Sequence, residues 1–450
     1  MVQILRPSNL KQDECALSSS HQNHLRNWLA PLGLITWQAG PYHGKVSALS
    51  EGALRLDLYK EGNLKNSQSI QVQWEHNVLS LRGSFFDSEG TFIVDAEDVS
   101  KLHDLLNSLR KSHHLRICQE QDVEASDRFT GFSDFSFIPE ALPDLNWDDI
   151  SLESSFLGRR FDAPILITGM TGGIERGQEL NKHLAKSAEA FGIPMGIGSQ
   201  RMALENSEYK KIFTVKNYAP KVFLIGNLGG SQLLGNDAVD LCKEAVEMVG
   251  ADALAIHLNV IQECIQAEGS PQFRGLFANL EKICGAVDVP ILVKEVGSGI
   301  SPSTAKRIFS TGVSALDCGG RGGTSWGYIE GLRSSSEQTL ALGQSFRDWG
   351  IPTAFSLSAI RRALPDCELL ATGGIRDGLS LAKALALGAN MVGIGLPLMR
   401  AASESEEKVH SVLQSLLRGL QTAMLATGCK RIDELKNKII RGYPFQNEHS

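Results

Sequence analysis

The chain has 450 residues, of which 42% are hydrophobic and 21% charged, so it has ample apolar material for a large core and is neither disordered nor fibrous. Lys and Arg total 44 against 51 Asp and Glu, and the resulting charge of -7 disfavours nucleic-acid binding. No stretch has the ~18 apolar residues of a membrane span, and the N-terminal residues lack a signal peptide's apolar core. The eight cysteines form no C-x-x-C pair. This pattern is typical of a cytoplasmic protein without a zinc knuckle or a disulfide framework.

Residues 1–109 contain only seven of the 44 glycines and differ in pattern from the rest of the chain. Segments 54–59, 70–74, 78–82 and 91–94 alternate apolar and polar residues, which predicts a small antiparallel sheet. A helix over about 97–109 is expected to pack on this sheet. The region carries no glycine-rich phosphate loop and no metal-ligand spacing. We therefore expect an N-terminal α+β extension of unknown function, followed by a second domain over 110–450.

From residue 163 onward, short β-rich runs alternate with amphipathic segments of helical length, which is the pattern of βαβ units. Eight such runs close into a (β/α)8 TIM barrel. An open doubly wound sheet is the alternative, but it normally opens on G-x-G-x-x-G, whereas the first run here ends in GMTGG. The runs cover 164–170, 193–199, 222–227, 253–259, 290–296, 314–320, 368–374 and 391–395.

Polar residues and glycines stand at the predicted carboxyl ends of these strands. In a barrel of this kind the active site is built at that end, so the strand ends predict the site. Any one of these side chains could be a satisfied buried polar group, but a run of five consecutive strand ends is harder to explain in that way. The residues are Thr168, Gly169, Met170, Thr171, Ser199, Gln200, Arg201, Asn227, His257, Asn259 and Lys294.

The last two strands end in ATGGIRDG (371–378) and GIGLP (393–397), which predicts a phosphate site at the loops that bind phosphate in many barrels. Gly373 and Gly374 would let the backbone approach the anion, and a helix around 379–387 would direct its positive end toward it. Simple turn formation is the alternative use of these glycines. The segment GGRGGTSW (319–326) adds a second glycine loop that ends in Thr324.

Lys294 places a positive charge at the end of an apolar strand, where it is costly unless an anion or an electron-rich ring lies against it. A reduced flavin meets that requirement. Together with the phosphate site, Lys294 suggests FMN with its ring over the barrel mouth. A Schiff-base lysine is the competing use.

Several long motifs, all in the same order, give the chain a resemblance to type 2 isopentenyl diphosphate isomerase, an FMN-dependent family, over about residues 110–442. Such a set is far more specific than a single glycine motif. The motifs are RKSHHL (110–115), LITGMTGG (166–173), GSQR (198–201), HLNVIQE (257–263), VKEVGSGIS (293–301), DCGGRGGTSW (317–326) and ATGGIRDGLSLAKALALGA (371–389).

The resemblance implies roles for particular residues. Substrate diphosphate would be bound by Arg110, Lys111, His114, Arg201 and Asn259, with Gln262 near the reacting alkene. Glu263 would hold Mg²⁺, and Gln262 and Lys294 would be the catalytic residues. FMN would be contacted by Gly169, Met170, Thr171, Ser199, Asn227, Lys294, Thr324, Gly374, Arg376 and Gly395. NADPH or another reductant would reduce the flavin, and the protein would be a homo-oligomer that binds neither membrane nor nucleic acid.

An isomerase that shifts a double bond must protonate an unactivated alkene, which is a very weak base. A carboxylic acid strong enough to do so would be a poor base for the reverse step, and this argues for a cofactor. The resemblance implies that reduced FMN supplies and recovers the proton, with Lys294 tuning the ring. Gln262 has no titratable proton, so we assign it orientation or relay.

The chain departs from the family pattern at its N-terminal side. The residues that correspond to Arg110 and Lys111 usually lie near a free N-terminus, whereas here a 109-residue segment precedes them. We expect that segment to serve assembly or regulation.

Two alternative functions remain open at this point. An FMN-dependent α-hydroxy-acid oxidoreductase needs a histidine base beside its substrate, and the GGRGGTSW loop offers none. A catalytically silent flavin-binding scaffold would not require Arg110, Lys111, Gln262 and Glu263 together.

Overall fold

A computed structural model describes residues 36–39, 42–50, 53–58, 69–74, 77–85, 91–94 and 99–442, except 171–174, 268 and 335. The chain divides into two compact units. The first comprises Met1–His114, Ile265–Ala267 and Glu330–Gln344, and the second comprises Leu115–Cys264, Glu268–Ile329 and Ser345–Ser450. The expected domain boundary at 109/110 falls inside a helix, and the first unit also takes in two later segments.

In the first unit, six antiparallel strands close into a small barrel in the order β1-β2-β3-β6-β5-β4. The four segments that the alternation predicts are all strands, whereas the first two strands, β1 (Thr36–Ala39) and β2 (Tyr42–Ser50), were not predicted. Within β5, Leu81 is buried while Ser80 and Arg82 are exposed, which is the period-two alternation of a strand with one face inward. The strands are β1 (Thr36–Ala39), β2 (Tyr42–Ser50), β3 (Ala53–Leu58), β4 (Ser69–Trp74), β5 (Asn77–Phe85) and β6 (Thr91–Val94).

The helix after this barrel, α1, spans Val99–Glu120 and is longer than predicted. The prediction ended it near residue 109, and that end is wrong. No glycine or proline occurs between 99 and 130, so nothing in the sequence stops the helix at 109. Arg110, Lys111 and His114 therefore lie on a continuous helix.

In the second unit, eight parallel strands close into a barrel in sequence order, which confirms the predicted (β/α)8 architecture. Each of the eight predicted runs contains one strand. The register is parallel throughout, and β10 pairs with β17 to close the barrel, with Leu166 opposite Gly393. The strands are β10 (Ile165–Ile167), β11 (Met195–Gly196), β12 (Leu224–Gly229), β13 (Ala253–Leu258), β14 (Ile291–Glu295), β15 (Ala315–Asp317), β16 (Glu368–Ala371) and β17 (Met391–Ile394).

Helices flank the barrel strands, and two short antiparallel pairs complete the sheet structure. The pairs are β8 (Ser154–Phe156) with β9 (Arg159–Phe161), and β7 (Phe135–Phe137) with β18 (Ile439–Arg441). Nowhere in the described part of the chain does a helix combine the length and apolar character that crossing a membrane requires. The helices after α1 are α2 (Glu175–Ala190), α3 (Arg201–Glu205), α4 (Ala238–Val249), α5 (Val260–Ile265), α6 (Leu276–Ala286), α7 (Pro302–Phe309), α8 (Trp326–Arg333), α9 (Glu337–Ser345), α10 (Thr353–Ala363), α11 (Gly378–Ala386), α12 (Leu396–Ala402) and α13 (Glu406–Ala426).

Aromatic rings fill the barrel at the amino ends of its strands. Phe156 and Phe161, from the β8–β9 pair, join Phe223, which precedes β12, and the rings of Phe161 and Phe223 meet edge to face at 5.5 Å. Above them lies a layer of aliphatic side chains from the strands, including Leu166, Ile225, Ala253, Ala255, Leu292, Ala315, Leu370 and Met391. The lower half of the barrel is thus a packed core.

We predict that Phe156→Ala lowers the free energy of unfolding by about 3–5 kcal/mol, because it leaves a cavity under the aliphatic layer. Phe156 is fully buried. Leu142→Ala is the control, since Leu142 is 87% exposed and its truncation should change stability by less than about 0.5 kcal/mol. Denaturant unfolding of both variants measures the difference. A loss for Phe156→Ala no larger than that of the control would contradict this packing.

Candidate active site

A polar layer lies above the aliphatic layer, on the same inward face of the strands. Because side chains alternate along a strand, residues two positions after the core residues of β12 to β15 also face inward. These are Asn227, His257, Lys294 and Asp317. The register places His257 opposite Lys294 and Lys294 opposite Asp317 on neighbouring strands. Three of the predicted strand-end residues, Asn227, His257 and Lys294, are therefore brought together in the barrel mouth, and Asp317 joins them.

Hydrogen bonds fix most of this layer. His257 Nδ1 lies 2.8 Å from Asn227 Oδ1, and Thr372 Oγ1 donates to Asp317 Oδ1 at 2.6 Å. Lys294 Nζ donates to the carbonyl of Glu295 at 3.2 Å. The other carboxylate oxygen of Asp317 is buried and has no hydrogen-bond partner in the described part of the chain. Such an oxygen is costly, and it suits a site that receives a polar ligand.

Burial and the charge of Lys294 set the protonation of the layer. Burial, and after it the nearby Lys294 ammonium, together lower the pKa of His257 to about 3. Burial also raises the pKa of Asp317, while Lys294 and the hydrogen bond from Thr372 oppose that rise. His257 is thus a neutral imidazole at physiological pH, and Lys294 is the cation of the layer.

Glycines at the end of the last barrel strand allow close packing against the end of the first. A Cβ on Gly395 would lie 2.8 Å from Thr168 Oγ1 and 3.0 Å from the sulfur of Met170, and a Cβ on Gly393 would overlap the methyl groups of Thr168 and Thr372. Packing against Thr168, Met170 and Thr372 therefore requires glycine at both positions. Thr171, which belongs to the same predicted set, lies outside the described residues.

The two glycine-rich loops pack directly on each other, which gives their glycines a reason that the sequence analysis did not foresee. Gly374 has φ 73°, and a Cβ there would overlap the Thr130 methyl group. A Cβ on Gly323 would overlap the amide nitrogen of Gly374. Loop packing and turn geometry thus require these glycines, whether or not phosphate approaches them.

The helix after β16 does not offer the free positive end that the sequence suggests. Asp377 is the N-cap of α11, and its carboxylate accepts a hydrogen bond from the amide of Ser380 at 2.7 Å. A phosphate there would meet a like charge. By contrast, no side chain caps α12, which begins after Gly395.

The segment around Glu124 and Ala125 packs on the two glycine loops through Arg376 and Thr324. The guanidinium of Arg376 forms an ion pair with Glu124, and Glu124 pairs with Thr324 in an isolated β-bridge. The amide of Ala125 also donates to the carbonyl of Gly323 at 2.9 Å. The sequence analysis did not single out Glu124, because its partners stand about 200 and 250 residues away along the chain.

On the β11 side, Gln200 is fully buried and fixes the start of α3. Its Oε1 accepts from the amide of Asn227 at 2.8 Å, and its Nε2 donates to the carbonyl of Ala245 at 2.7 Å. Ser199 and Arg201 flank it. Arg201 forms an ion pair with Glu205 at 2.7 Å, and its side chain is 41% exposed. Arg201 can therefore turn toward a ligand by giving up only a partly solvated ion pair.

The residues after β13 form a compact hydrogen-bonded group. Asn259 Nδ2 donates to Glu263 Oε1 at 2.8 Å and to Gln262 Oε1 at 3.3 Å, while the amide of Ser270 donates to Glu263 Oε2 at 2.8 Å. Asn259 Oδ1 is buried without a partner in the described part of the chain. One group thus presents an acceptor amide oxygen and a carboxylate.

A small recess with a cavity volume of about 20 Å³, room for about one water molecule, lies beside this group. It has a polar side and an apolar side. Asn259 and Gln262 line the polar side together with Glu295, Gly297 and Ser298. The apolar side is lined by Ile261, Val296, Trp326, Phe346 and Trp349.

In the first unit, three predicted substrate residues lie on α1 near a buried carboxylate. Glu330 is 1% exposed, and its carboxylate pairs with His114 Nε2 and with Arg333 Nε, both at 2.9 Å. When the oxygen and nitrogen of the Gln266 amide are exchanged, the oxygen accepts a hydrogen bond from Arg110 at 2.9 Å and the nitrogen donates one to Glu330 at 3.1 Å. Lys111 is half-buried on the same helix. The sequence analysis missed Glu330 and Gln266, since neither follows a barrel strand.

Within the described residues, no group of three or more His, Cys, Asp or Glu side chains could hold a metal ion. The assignment of Glu263 to a metal ion therefore stays a prediction from the resemblance. Each of its oxygens accepts one hydrogen bond and keeps a lone pair.

We predict that Lys294→Met raises the pKa of His257 above about 3, because the substitution removes a positive charge while burial remains. Imidazole NMR signals followed from pH 8 to pH 4 report the titration. The wild-type His257 signal should stay that of neutral imidazole throughout. A wild-type midpoint near the ordinary 6.5 would contradict the assigned environment.

Comparison with known proteins matches residues 243–442 to the FMN-dependent dehydrogenase family. The isopentenyl-diphosphate delta-isomerase of Nostoc sp. is 41% identical over 328 residues, which is 73% of this chain and 94% of the relative. That of Archaeoglobus fulgidus is 44% identical over 330 residues, with the same coverage of both chains.

Among solved structures, mandelate oxidase with benzoyl-formic acid aligns at a TM-score of 0.51 and 20% identity, covering 76% of this chain and 97% of that one. This likeness supports the fold alone. The sequence identity to the two isomerases extends over nearly their whole length. The chain therefore belongs to the isopentenyl-diphosphate delta-isomerase family, and to its type 2 branch.

Proposed function

We propose that this protein interconverts isopentenyl diphosphate and dimethylallyl diphosphate in isoprenoid biosynthesis, with reduced FMN and Mg²⁺. The observation that carries the proposal is the position of Lys294. It is the cation of the inward-facing polar layer, and its strand β14 neighbours β13, after which Asn259, Gln262 and Glu263 follow. The proposed sites for the flavin ring and for the anionic substrate would thus lie at the ends of adjacent strands.

FMN would be held by residues at the mouth of the barrel. Gly395, Met170 and Gly169 would contact its phosphate and ribityl chain at the ends of β10 and β17, next to the start of α12, which no side chain caps. Lys294 and Asn227 would contact the ring from the polar layer. Ser199, Thr324, Gly374, Arg376 and Thr171 complete the proposed set. When bound, reduced FMN supplies a group that can give a proton to an alkene and take one back.

The chain's own residues would bind and orient the substrate. Arg201 and Asn259 would hold the diphosphate, and Glu263 would share a Mg²⁺ ion with phosphate oxygens, since Mg²⁺ usually takes one or two carboxylates plus phosphates and water. Gln262 would align the alkene. The resemblance also assigns Arg110, Lys111 and His114 to the diphosphate, and this part of the proposal rests on sequence.

Lys294 would serve as an electrostatic partner of the reduced ring. A positive charge in a partly buried layer favours an anion beside it more strongly than it would in water. His257 stays neutral there, so it adds no second cation, and its Nδ1 bond to Asn227 fixes that amide. NADPH or another reductant would keep the flavin reduced. We also propose a cytoplasmic location and a homo-oligomeric state.

The hydroxy-acid oxidoreductase alternative needs a basic histidine at the reacting carbon. His257 is a very weak base, because burial lowers its pKa to about 3. A silent flavin-binding scaffold is disfavoured by the bonded group of Asn259, Gln262 and Glu263, which a scaffold would not need.

The purified full chain, supplied with FMN, Mg²⁺ and dithionite under nitrogen, should convert isopentenyl diphosphate to dimethylallyl diphosphate. Acid lability of the product or mass spectrometry after chromatography measures it. A flavin spectrum with no conversion would support the scaffold, and reduction of oxidised flavin by a hydroxy acid would support the oxidoreductase.

We predict that Glu263→Gln lowers turnover on the order of 100-fold, because a neutral amide is a poor Mg²⁺ ligand, while bound FMN is retained. Glu281→Gln on the exposed face of α6 is the matched control. Turnover is measured against Mg²⁺ concentration. A variant with the rate and Mg²⁺ dependence of the control would remove Glu263 from the metal site.

A further inference from the structure

Glu295, the last residue of β14, gathers three consecutive backbone amides onto one oxygen. Its Oε2 accepts from the amide of Gly297 at 2.7 Å and from that of Gly299 at 3.2 Å, and the amide of Ser298 between them donates to the same atom. Bonds from N–H groups to a charged carboxylate are about twice as strong as neutral ones. The side chain therefore restrains the loop that follows its own strand.

The backbone conformation of this loop depends on two glycines. Gly297 and Gly299 have φ values of 149° and 77°, which turn their amides toward one point. Backbone bonds also hold the loop. The amide of Gly299 is shared between Glu295 Oε2 and the carbonyl of Gly319, which is nearer at 2.9 Å, and the amide of Ile351 donates to the carbonyl of Ser298 at 2.9 Å. The carboxylate is thus the acceptor for the amides of Gly297 and Ser298.

This loop is also a wall of the recess. Residues 296–298 line it together with Asn259 and Gln262. In addition, the carbonyl of Glu295 accepts from Lys294 Nζ at 3.2 Å. One residue thus contacts the cation of the polar layer through its backbone and the recess wall through its side chain.

We propose that Glu295 is a positioning residue, whose carboxylate holds residues 297–299 in the shape that admits the substrate beside Gln262. The identity of that substrate rests on the proposed function. The restraint on the loop does not.

Two variants separate the charge of Glu295 from its ability to accept hydrogen bonds. Glu295→Ala removes the acceptor, whereas Glu295→Gln keeps an amide oxygen that can still accept from the loop. Amide hydrogen exchange is measured on the full chain with FMN at pH 8. This lies above the pKa of about 7 to which burial raises Glu295, against the opposing effect of the loop amides and Lys294.

We expect exchange at Gly297 and Ser298 to be at least about 10-fold faster in Glu295→Ala, which is the loss of roughly one charge-assisted hydrogen bond. Gly299 should change less, because its amide keeps the bond to the carbonyl of Gly319. Glu295→Gln should be intermediate, and the control Glu281→Gln should match the wild type. For isomerisation by Glu295→Ala, the fold-increase in KM should exceed the fold-decrease in kcat. The KM of Glu295→Gln should lie between those of Glu295→Ala and the wild type. A merely structural role would lower the active fraction and leave KM unchanged.

Equal exchange at Gly297 and Ser298 in wild type and Glu295→Ala would overturn the proposal. So would an unchanged KM with faster exchange. If Glu295→Ala fails to bind FMN, or if its β14 amides lose their protection from exchange, the test rests on Glu295→Gln alone. Wild-type exchange together with a wild-type KM in Glu295→Gln would then overturn the proposal. Absence of isomerisation in the wild type would defeat the proposed function, while the exchange result would still decide whether Glu295 restrains the loop.

Discussion

The two-residue period of the barrel strands is the constraint on which the site depends. Once Ile225, Ala255, Leu292 and Ala315 face inward, the residues two positions later must face inward as well. The sequence changes from apolar to polar at that step, so the barrel is a packed core at one end and a polar mouth at the other. The rings of Phe156, Phe161 and Phe223 close the amino end, which leaves only the carboxyl end for a ligand.

The polar mouth of the barrel contains few charged groups. Lys294 contributes a positive charge, His257 is neutral because burial lowers its pKa, and Asp317 is bonded to Thr372 beside the lysine. An anionic or electron-rich ring placed here would meet one cation and few competing charges. The same lysine reaches the carbonyl of Glu295, so the polar mouth and the recess wall share a hydrogen bond.

Much of this could be predicted from the sequence. All eight barrel strands follow from short apolar runs, because a parallel strand buried on both faces has few polar positions to confuse the pattern. The residues Asn227, Asn259 and Lys294 could be found because they stand at strand ends, whereas Gln262 and Glu263 lie in α5 and were assigned from the resemblance. Strand β1 was missed although its four residues alternate, and in β2 the alternation is interrupted where the strand carries a β-bulge.

The rest depends on pairs far apart in the chain, which a single sequence does not reveal. Glu124 meets Arg376 and His114 meets Glu330 across more than 200 residues, and Gln200 meets Ala245 across 45. The glycine loops were correctly located but for an incomplete reason, since Gly323 and Gly374 are needed for packing against each other. The N-cap role of Asp377 could have been predicted, because an Asp directly before a helical segment is a common N-cap. The glycine motif was interpreted as a phosphate site instead.

The most direct measurement of the central claim is a crystal structure of the full chain with FMN. The account predicts the isoalloxazine ring in the polar mouth, with Lys294 Nζ within about 3 Å of a ring heteroatom and the phosphate beside Gly395. A flavin bound elsewhere, or a mouth closed by the side chains of Asn227, His257 and Asp317 with no room for the ring, would contradict it.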